Sequence, residues 1–357
     1  QFFNYGKQVD GSYNAEPTVL PSVVMHFGRL DDEKVRPVLE QYAGAGFSSD
    51  WGVRIVSSSS TLFNPQGYHY GSVWPLFTGW TALAEYEYGN STQGFTHILN
   101  NLYIKNHWAL GFVEEVMNGA VYKPSGVCPH QCWSETNILH PAITGMIGWK
   151  PDAPDASAGL HPRFPIHWDS AKVNNLRVGN SVVDFSMVRD ANRTVYSLNL
   201  TSGNPVMIEF APEIPDGMKL TRLTIDGRDI SGLDGRRRGL LDPPVEVNLN
   251  GSMELIFEHT GGIGVVPAMP RPEPGDSSDG HRIISASLRD NVYSVVVEGK
   301  PGTTADLEVR TFGQAVTGVD NATIKERRGE GRSVLGVKFP RSPEDYLRIT
   351  AGIRLSK

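Results

Sequence analysis

The chain has 357 residues, more than one typical domain holds, so two or three units are expected. Its 39 acidic and 33 basic residues leave a net charge of −6, which speaks against nucleic acid as a main ligand, since phosphate binding wants a concentrated basic surface. Hydrophobic residues make up 39% and charged residues 20%, an ordinary globular composition, and no run approaches the ~20 apolar residues that span a bilayer. Neither nucleic acid nor membrane is expected as a partner. A soluble protein is expected, with its compartment open between cytoplasmic and secreted or periplasmic. The start at Gln1, without Met or a charged-then-apolar leader, reads as a processed start or a piece of something longer.

In chain order, residues 1–155 carry helical periodicity. Asp31 or Asp32 suits a first turn, and Val35, Val38 and Leu39 follow at helical spacing. Val73, Leu76, Phe77, Trp80, Leu83 and Ala84 recur at i, i+3 and i+4 and stop at Gly89. Phe95, Ile98, Leu99 and Leu102 repeat the pattern, as do Ile138, Leu139, Ala142, Ile143, Met146 and Ile147, where Pro141 should kink or reset the helix. The first third is expected to be all-α. Its loops Ser48–His69 and Gly111–His130 are long and rich in Gly, Ser, Asn and aromatics, and such loops are uncommon in a compact domain unless they carry function. Within the second, Cys128-Pro129-His130-Gln131-Cys132 offers two thiols and an imidazole, short of the four ligands of a zinc site and without a second cluster. No metal is expected; a local disulfide and two packed thiols both stay open.

After Pro151-Asp152-Ala153-Pro154 the period falls to two. Val183, Phe185 and Met187 alternate with Asp184 and Ser186, and Tyr196, Leu198 and Leu200 with Ser197 and Asn199, a pattern of half-buried strands. Short strand-like runs divided by Asp226-Gly227 and Asn250-Gly251 suit an antiparallel sandwich over 156–262. Residues 263–280, containing Pro270-Arg271-Pro272-Glu273-Pro274-Gly275, read as a linker, and 281–357 as a second small β-domain. Arg236, Arg237 and Arg238, in a Gly-rich turn, read as a solvated loop.

The most informative stretch is Gly67-Tyr68-His69-Tyr70-Gly71-Ser72-Val73-Trp74-Pro75. It is an aromatic polar loop entering a helix, with Ser72 as candidate N-cap. Tyr68, His69, Tyr70 and Trp74 offer flat apolar faces with hydrogen-bonding tips, which a sugar ring requires, although Tyr70 and Trp74 can equally be core.

Tyr68-His69-Tyr70-Gly71-Ser72-Val73-Trp74-Pro75 resembles the signature at the barrel mouth of glycogen-debranching-type amylo-α-1,6-glucosidases and their relatives, the processing α-glucosidases and trehalases. Asp50-Trp51-Gly52-Val53-Arg54 is similar to the Gly-x-Arg segment that precedes it. Glu115-Val116-Met117-Asn118-Gly119 and Gly126-Val127-Cys128-Pro129-His130-Gln131-Cys132-Trp133-Ser134 resemble the elements that follow. Order and approximate spacing agree over roughly residues 16–148.

The resemblance implies an α+β multidomain protein: the C-terminal helices of an α/α six-hairpin barrel, over 1–155, followed by antiparallel β-sandwich modules. It implies inverting hydrolysis of oligo- or polysaccharide by two carboxylates, with no cofactor. The base maps onto Glu115, with adjacent Glu114 as alternative, and Trp51, Arg54, Tyr68, His69, Tyr70, Trp74, Gln131 and Trp133 are the implied substrate contacts. Glu135 falls where a helix begins and is expected to stabilise its N-terminus. The general acid lies well upstream of the signature in these enzymes, in a Trp-x-Asp context missing from this sequence. Of the early acids, Asp10 before Gly11-Ser12 reads as a turn, and Glu16 before Pro17 as a polar position ahead of a helix. An upstream part of the same polypeptide is therefore expected to complete the barrel and supply the acid. Leu160-His161-Pro162-Arg163-Phe164-Pro165, His167-Trp168-Asp169 and Val173–Gly179 resemble the start of the sandwich that follows such barrels, with Trp168 and Arg177 packing sandwich on barrel. Two alternatives stay open, a non-catalytic carbohydrate-binding or assembly protein and a related sugar phosphorylase; retention of Glu115 speaks against the phosphorylase.

Overall fold

The computed structural model describes residues 2–4, 6–108, 110–232, 235–269 and 271–356. Helices come first: α1 (Ser22–Met25), α2 (Asp32–Ala43), α3 (Pro75–Glu87), α4 (Ser91–Ile104) and α5 (Cys132–His140). The region is not all-α, because two short ribbons interrupt it, Gly6–Lys7 with Tyr13–Asn14 and Ser48–Ser49 with Gly52–Val53. Pro141 has the effect expected of a residue without an N–H. The helix does not continue in α form but widens into a π-type turn, Pro141–Ile147, that ends on Gly148 at φ 72°. Helix α3 is buried on nearly every side, as expected of a helix that is apolar around most of its circumference.

A buried polar chain ties α3 to α4 and to the ribbon at Ser48. Glu85 Oε2 lies 2.7 Å from His97 Nδ1, and His97 Nε2 lies 2.7 Å from Ser48 Oγ. Burial pushes the Glu85 carboxyl above its ordinary range. The three side chains line up like a hydrolase triad, but Ser48 Oγ donates its proton to the Tyr42 carbonyl at 2.7 Å. The proton a serine nucleophile would give its histidine is thus directed elsewhere, and the chain is a packing device.

Two β-sandwiches follow. The first joins a six-stranded sheet, ordered 228–230, 219–225, 252–260, 193–202, 181–189, 170–178, to a four-stranded one, ordered 245–249, 206–210, 157–160, 149–152. Strand Ser181–Arg189 shows the cause: Val183, Phe185 and Met187 are buried on one face, with Asp184 and Ser186 on the other. One core unites both sheets, with Phe185, Tyr196, Phe210 and Phe257 at its centre. The sheets are antiparallel except where Val206–Phe210 runs parallel to Ser157–Leu160. In the second sandwich one sheet is ordered 263–267, 304–311, 332–338, 323–329 and the other 282–289, 292–299, 347–355, 316–320, again over a shared core.

The seams fall away from the expected positions. Trp149–Asp152 pairs with Ser157–Leu160, so the first sandwich begins inside the stretch assigned to helices. Ile263–Pro267, expected as linker, pairs with Leu307–Thr311. Gly261 and Gly262, at φ 67° and 107°, turn the chain from one sandwich into the next instead of opening a linker. The crossing without a strand is shorter, from Ala268 to His281, and Pro270 of its proline run lies outside the described residues.

Trp168 packs edge-on against Phe95 of α4 at 5.9 Å, joining sandwich to helices, whereas Arg177 is exposed and its carbonyl accepts from Trp149 Nε1 at 3.3 Å. Arg238 does more than its solvated-loop expectation. Its guanidinium reaches Asp32 at 2.7 Å and Glu87 at 2.9 Å, and lies 4.1 Å from the centre of the Tyr88 ring. Two carboxylates on helices α2 and α3 fix a cation from the sandwich, and the hydrogen bond from Arg238 holds the Asp32 carboxyl below its ordinary range. Arg238→Ala should cost about 1.5–3 kcal/mol at neutral pH, read from denaturant melts. Because the folded value of Asp32 is depressed, its share of the stability is present above the ordinary carboxylate value of about 3.9 and fades as pH falls through the folded value. The gap between Arg238→Ala and the parent should therefore narrow at pH 3; an equal gap at pH 3 and 7 would contradict this role.

Candidate active site

Two loops meet at the entry to α3. Val73 forms a bridge with Arg54 on one side and with Met117 on the other, and Val73 and Met117 exchange both backbone hydrogen bonds at 2.9 Å. Two residues on, Pro75 occupies the first helical position, where its fixed φ and missing donor suit the helix. That choice moves the cap position to Trp74. Ser72, expected as the cap, instead donates its hydroxyl to the carbonyls of Gly67 and Tyr68 at 3.1 and 2.8 Å and so braces the loop.

Glycines set how closely the loops approach. A Cβ on Gly119 would lie 2.0 Å from the Gly71 carbonyl oxygen, and one on Gly71, itself at φ 155°, would lie 2.6 Å from the Phe63 ring. Arg54 fastens the junction from beneath. Its Nε donates to the Gly119 carbonyl at 2.5 Å and its Nη1 to the Ala45 carbonyl at 2.8 Å. Burial lowers its pKa to about 10, which still leaves a cation at neutral pH. Trp51, with no exposed surface, donates Nε1 to the Asn118 carbonyl at 2.8 Å. Both residues were expected among the substrate contacts; both are buried and commit these donors to backbone carbonyls.

On this frame Glu115 and Tyr68 are brought together. The Tyr68 hydroxyl donates to Glu115 Oε1 at 2.6 Å, and the Glu115 amide donates to the Cys128 carbonyl at 2.9 Å. Loss of water around the phenol, reinforced by its bond to Glu115, pushes the Tyr68 pKa up to about 12, so the phenol remains a donor. Glu114 is also buried, which raises its carboxyl above the ordinary range, but its side chain has no hydrogen-bond partner among the described residues. Of the adjacent pair, Glu115 is the one whose orientation is fixed.

Aromatic surface stands beside it. Trp74 is 5% exposed, donates Nε1 to the Tyr68 carbonyl at 2.8 Å, stacks under His69 with 12° between the planes and meets Tyr68 edge-on. It is the support, while Tyr68, His69 and Tyr70 are the exposed faces. Gln131 caps α5, its Oε1 accepting from the Cys132 amide at 3.0 Å, and Trp133 stands exposed in the first turn. Glu135 is in that turn too, 3.2 Å from His130 Nε2. Cys128 and Cys132 are free thiols. The early acids are occupied elsewhere. Asp10 accepts from the Ser12 amide and hydroxyl in a tight turn, and Glu16 accepts from Ser60 Oγ at 2.6 Å.

Asn118 escaped the reading by residue type. Its Oδ1 accepts from the amides of Ala120 and Val121 at 2.8 and 2.9 Å and shapes the turn after Glu115. The Asn-Gly pair at 118–119 was its signal. Two larger cavities, of about 510 and 740 Å³, lie between the helices and the sandwiches, lined in common by Arg163 and Arg238; Glu115 lines neither.

No protein-family model and no curated protein matches the chain. The solved structures it resembles include glycoside hydrolases. A GH63 mannosylglycerate hydrolase from Thermus thermophilus is 20% identical over 37% of this chain and 30% of its own, with a TM-score of 0.31. A GH127 β-L-arabinofuranosidase from Geobacillus stearothermophilus is 10% identical over 94% of this chain and 56% of its own, with a TM-score of 0.35. An α-L-rhamnosidase from Dictyoglumus thermophilum is 10% identical over 69% of this chain and 26% of its own, with a TM-score of 0.44. The chain thus spans between a quarter and little more than half the length of these three, and likenesses of this size decide neither fold nor activity.

Trp74→Ala should lower stability by about 3–5 kcal/mol, since it empties a buried site under Tyr68 and His69. Trp133→Ala, at an exposed position, should stay within about 0.5 kcal/mol of the parent. Thermal melts of both variants check this, and an unmoved melt for Trp74→Ala would make it a free platform instead.

Proposed function

We propose that this chain carries the base side of an inverting glycoside-hydrolase site of the α-glucosidase or debranching type, acting on oligo- or polysaccharide, with Glu115 as the base. In this reading α3, α4 and α5 belong to the closing part of an α/α barrel. The observation that carries the proposal is the 2.6 Å bond from the Tyr68 hydroxyl to Glu115 Oε1, between the two loops marked by the sequence signature. One carboxylate oxygen is held by the phenol, which leaves Oε2 to accept a proton from water. The hydroxide so formed attacks the anomeric carbon, while an acid on the opposite side protonates the departing oxygen. The two carboxyls would stand about 6.5–9.5 Å apart to admit that water. We place the acid on a facing loop of the barrel. Tyr68, His69, Tyr70 and Trp133 are the proposed sugar contacts, with Trp74 as their support and Gln131 holding the start of α5.

The test is hydrolysis of an oligosaccharide panel by the intact protein. Glu115→Gln should lower kcat by about 10²–10⁴-fold at unchanged melting temperature, the range a positioned base contributes. Tyr68→Phe should cost about tenfold, near the net worth of one hydrogen bond to a charged group, and Glu114→Gln should have little effect. Near-parental turnover by Glu115→Gln removes the assignment, and dependence of sugar release on inorganic phosphate would favour phosphorolysis.

A further inference from the structure

The crossing that joins strands Ile263–Pro267 and Arg282–Arg289 of the second sandwich touches the base loop, and nothing in the reaction proposed above accounts for that contact. The chain after Glu115 folds back on itself: Met117 bridges Pro124, and the Asn118 amide donates to the Lys123 carbonyl at 2.8 Å. The tip of this hairpin is then zipped to the crossing. Tyr122 donates its amide to the Asp276 carbonyl at 2.8 Å and receives the Gly275 amide at 3.0 Å, and Val121 bridges Ser277. The Tyr122 side chain is fully buried against Trp51 and Trp108.

Further along, the same segment is anchored to the ribbon beside Trp51. Asp50 Oδ2 accepts from the amides of Asp279 and Gly280, both at 2.9 Å. The Asp50 amide donates to Ser278 Oγ at 3.0 Å, and Arg282 Nη2 donates to Ser278 Oγ at 2.6 Å and to Asp50 Oδ1 at 3.2 Å. Ser278 and Arg282 are 5% and 7% exposed, so the bond between them is shielded from water, while those to Asp50 lie nearer the surface. A Cβ on Gly280 would lie 2.4 Å from Asp50 Oδ1, so a side chain there must displace the Asp50 carboxylate from the anchor.

We propose that Gly275–Arg282 is a positioning strap for the base: the second sandwich holds the hairpin that follows Glu115 from the side opposite Val73 and so fixes where the carboxylate stands. The strap touches no substrate; it acts through the backbone of 117–124. The inference rests on Glu115 being the base only for its kinetic consequence, and its structural half is independent of that reading.

Gly280→Ala and Ser278→Ala in the intact protein test it by two readouts. The first is hydrogen exchange at the amides of Glu115, Met117 and Asn118, bonded to Cys128, Val73 and Lys123. The expected result is exchange faster by about tenfold or more at these three amides, with strands Val292–Gly299 and Leu347–Leu355 unchanged. The second is hydrolysis, where kcat should fall by about tenfold or more with KM within about twofold, the pattern of a misplaced base rather than a lost substrate contact. Lys325→Ala, which removes an exposed ion pair with Asp306 on the same sandwich, should change neither. Unchanged exchange at the three amides in both variants overturns the strap. If Gly280→Ala fails to fold, Ser278→Ala decides by the same measurements. If Glu115→Gln keeps full turnover, the glycosidase reading falls while the exchange data still decide the strap.

Discussion

The Arg54 guanidinium is the interaction on which the candidate site depends. A cation removed from water is costly unless its donors are met, and here they are met by backbone carbonyls rather than by a carboxylate. Ala45, Phe47 and Ser48 contribute from the chain leading into the ribbon, and Gly119 from the loop that carries Glu115. One side chain therefore joins stretches some 70 residues apart, and the backbone of Arg54 also pairs with Val73, which in turn pairs with Met117. Glu115, Tyr68 and Trp74 inherit their positions from that junction.

Helices and strands were legible where one period dominated. The alternation at Val183, Phe185 and Met187 states a single burial pattern and the chain follows it, while the spacing at Val73–Ala84 marks a helix whose burial goes beyond the one face the spacing implies. The seams were less legible. Gly261-Gly262 carries the same residue signal whether it begins a linker or turns one strand into another, and only the pairing of Ile263–Pro267 with a distant strand separates the two. Ser72 was the expected cap of α3, but Pro75 sets the start because its constraint is covalent, whereas a serine hydroxyl can bond elsewhere. The π-type turn at Pro141 was foreseen as an interruption, not in its form.

In the candidate site the sequence brought residues together more readily than it told how they bond. Motif spacing brings Tyr68 and Glu115 into one list, but not the hydrogen bond between them, which joins residues 47 positions apart. Trp51 and Arg54 look like ligand-binding residues by type. Their burial is a property of tertiary packing, and it turns them from contacts into scaffolding. Arg238 shows the same limit: three consecutive arginines look solvated, yet the third lands between two helix carboxylates supplied by a distant part of the chain.

The close approach of Gly71 and Gly119 also bears on how such a surface can diversify. Neither position has room for a side chain, so the backbone crossing beside Glu115 is closed to change. Variation must be carried by neighbours whose tips reach solvent, chiefly Tyr70, Phe112 and Trp133, which are 54%, 44% and 42% exposed. On the function proposed above, the orientation of the Glu115 carboxylate and the choice of ligand fall to different residues.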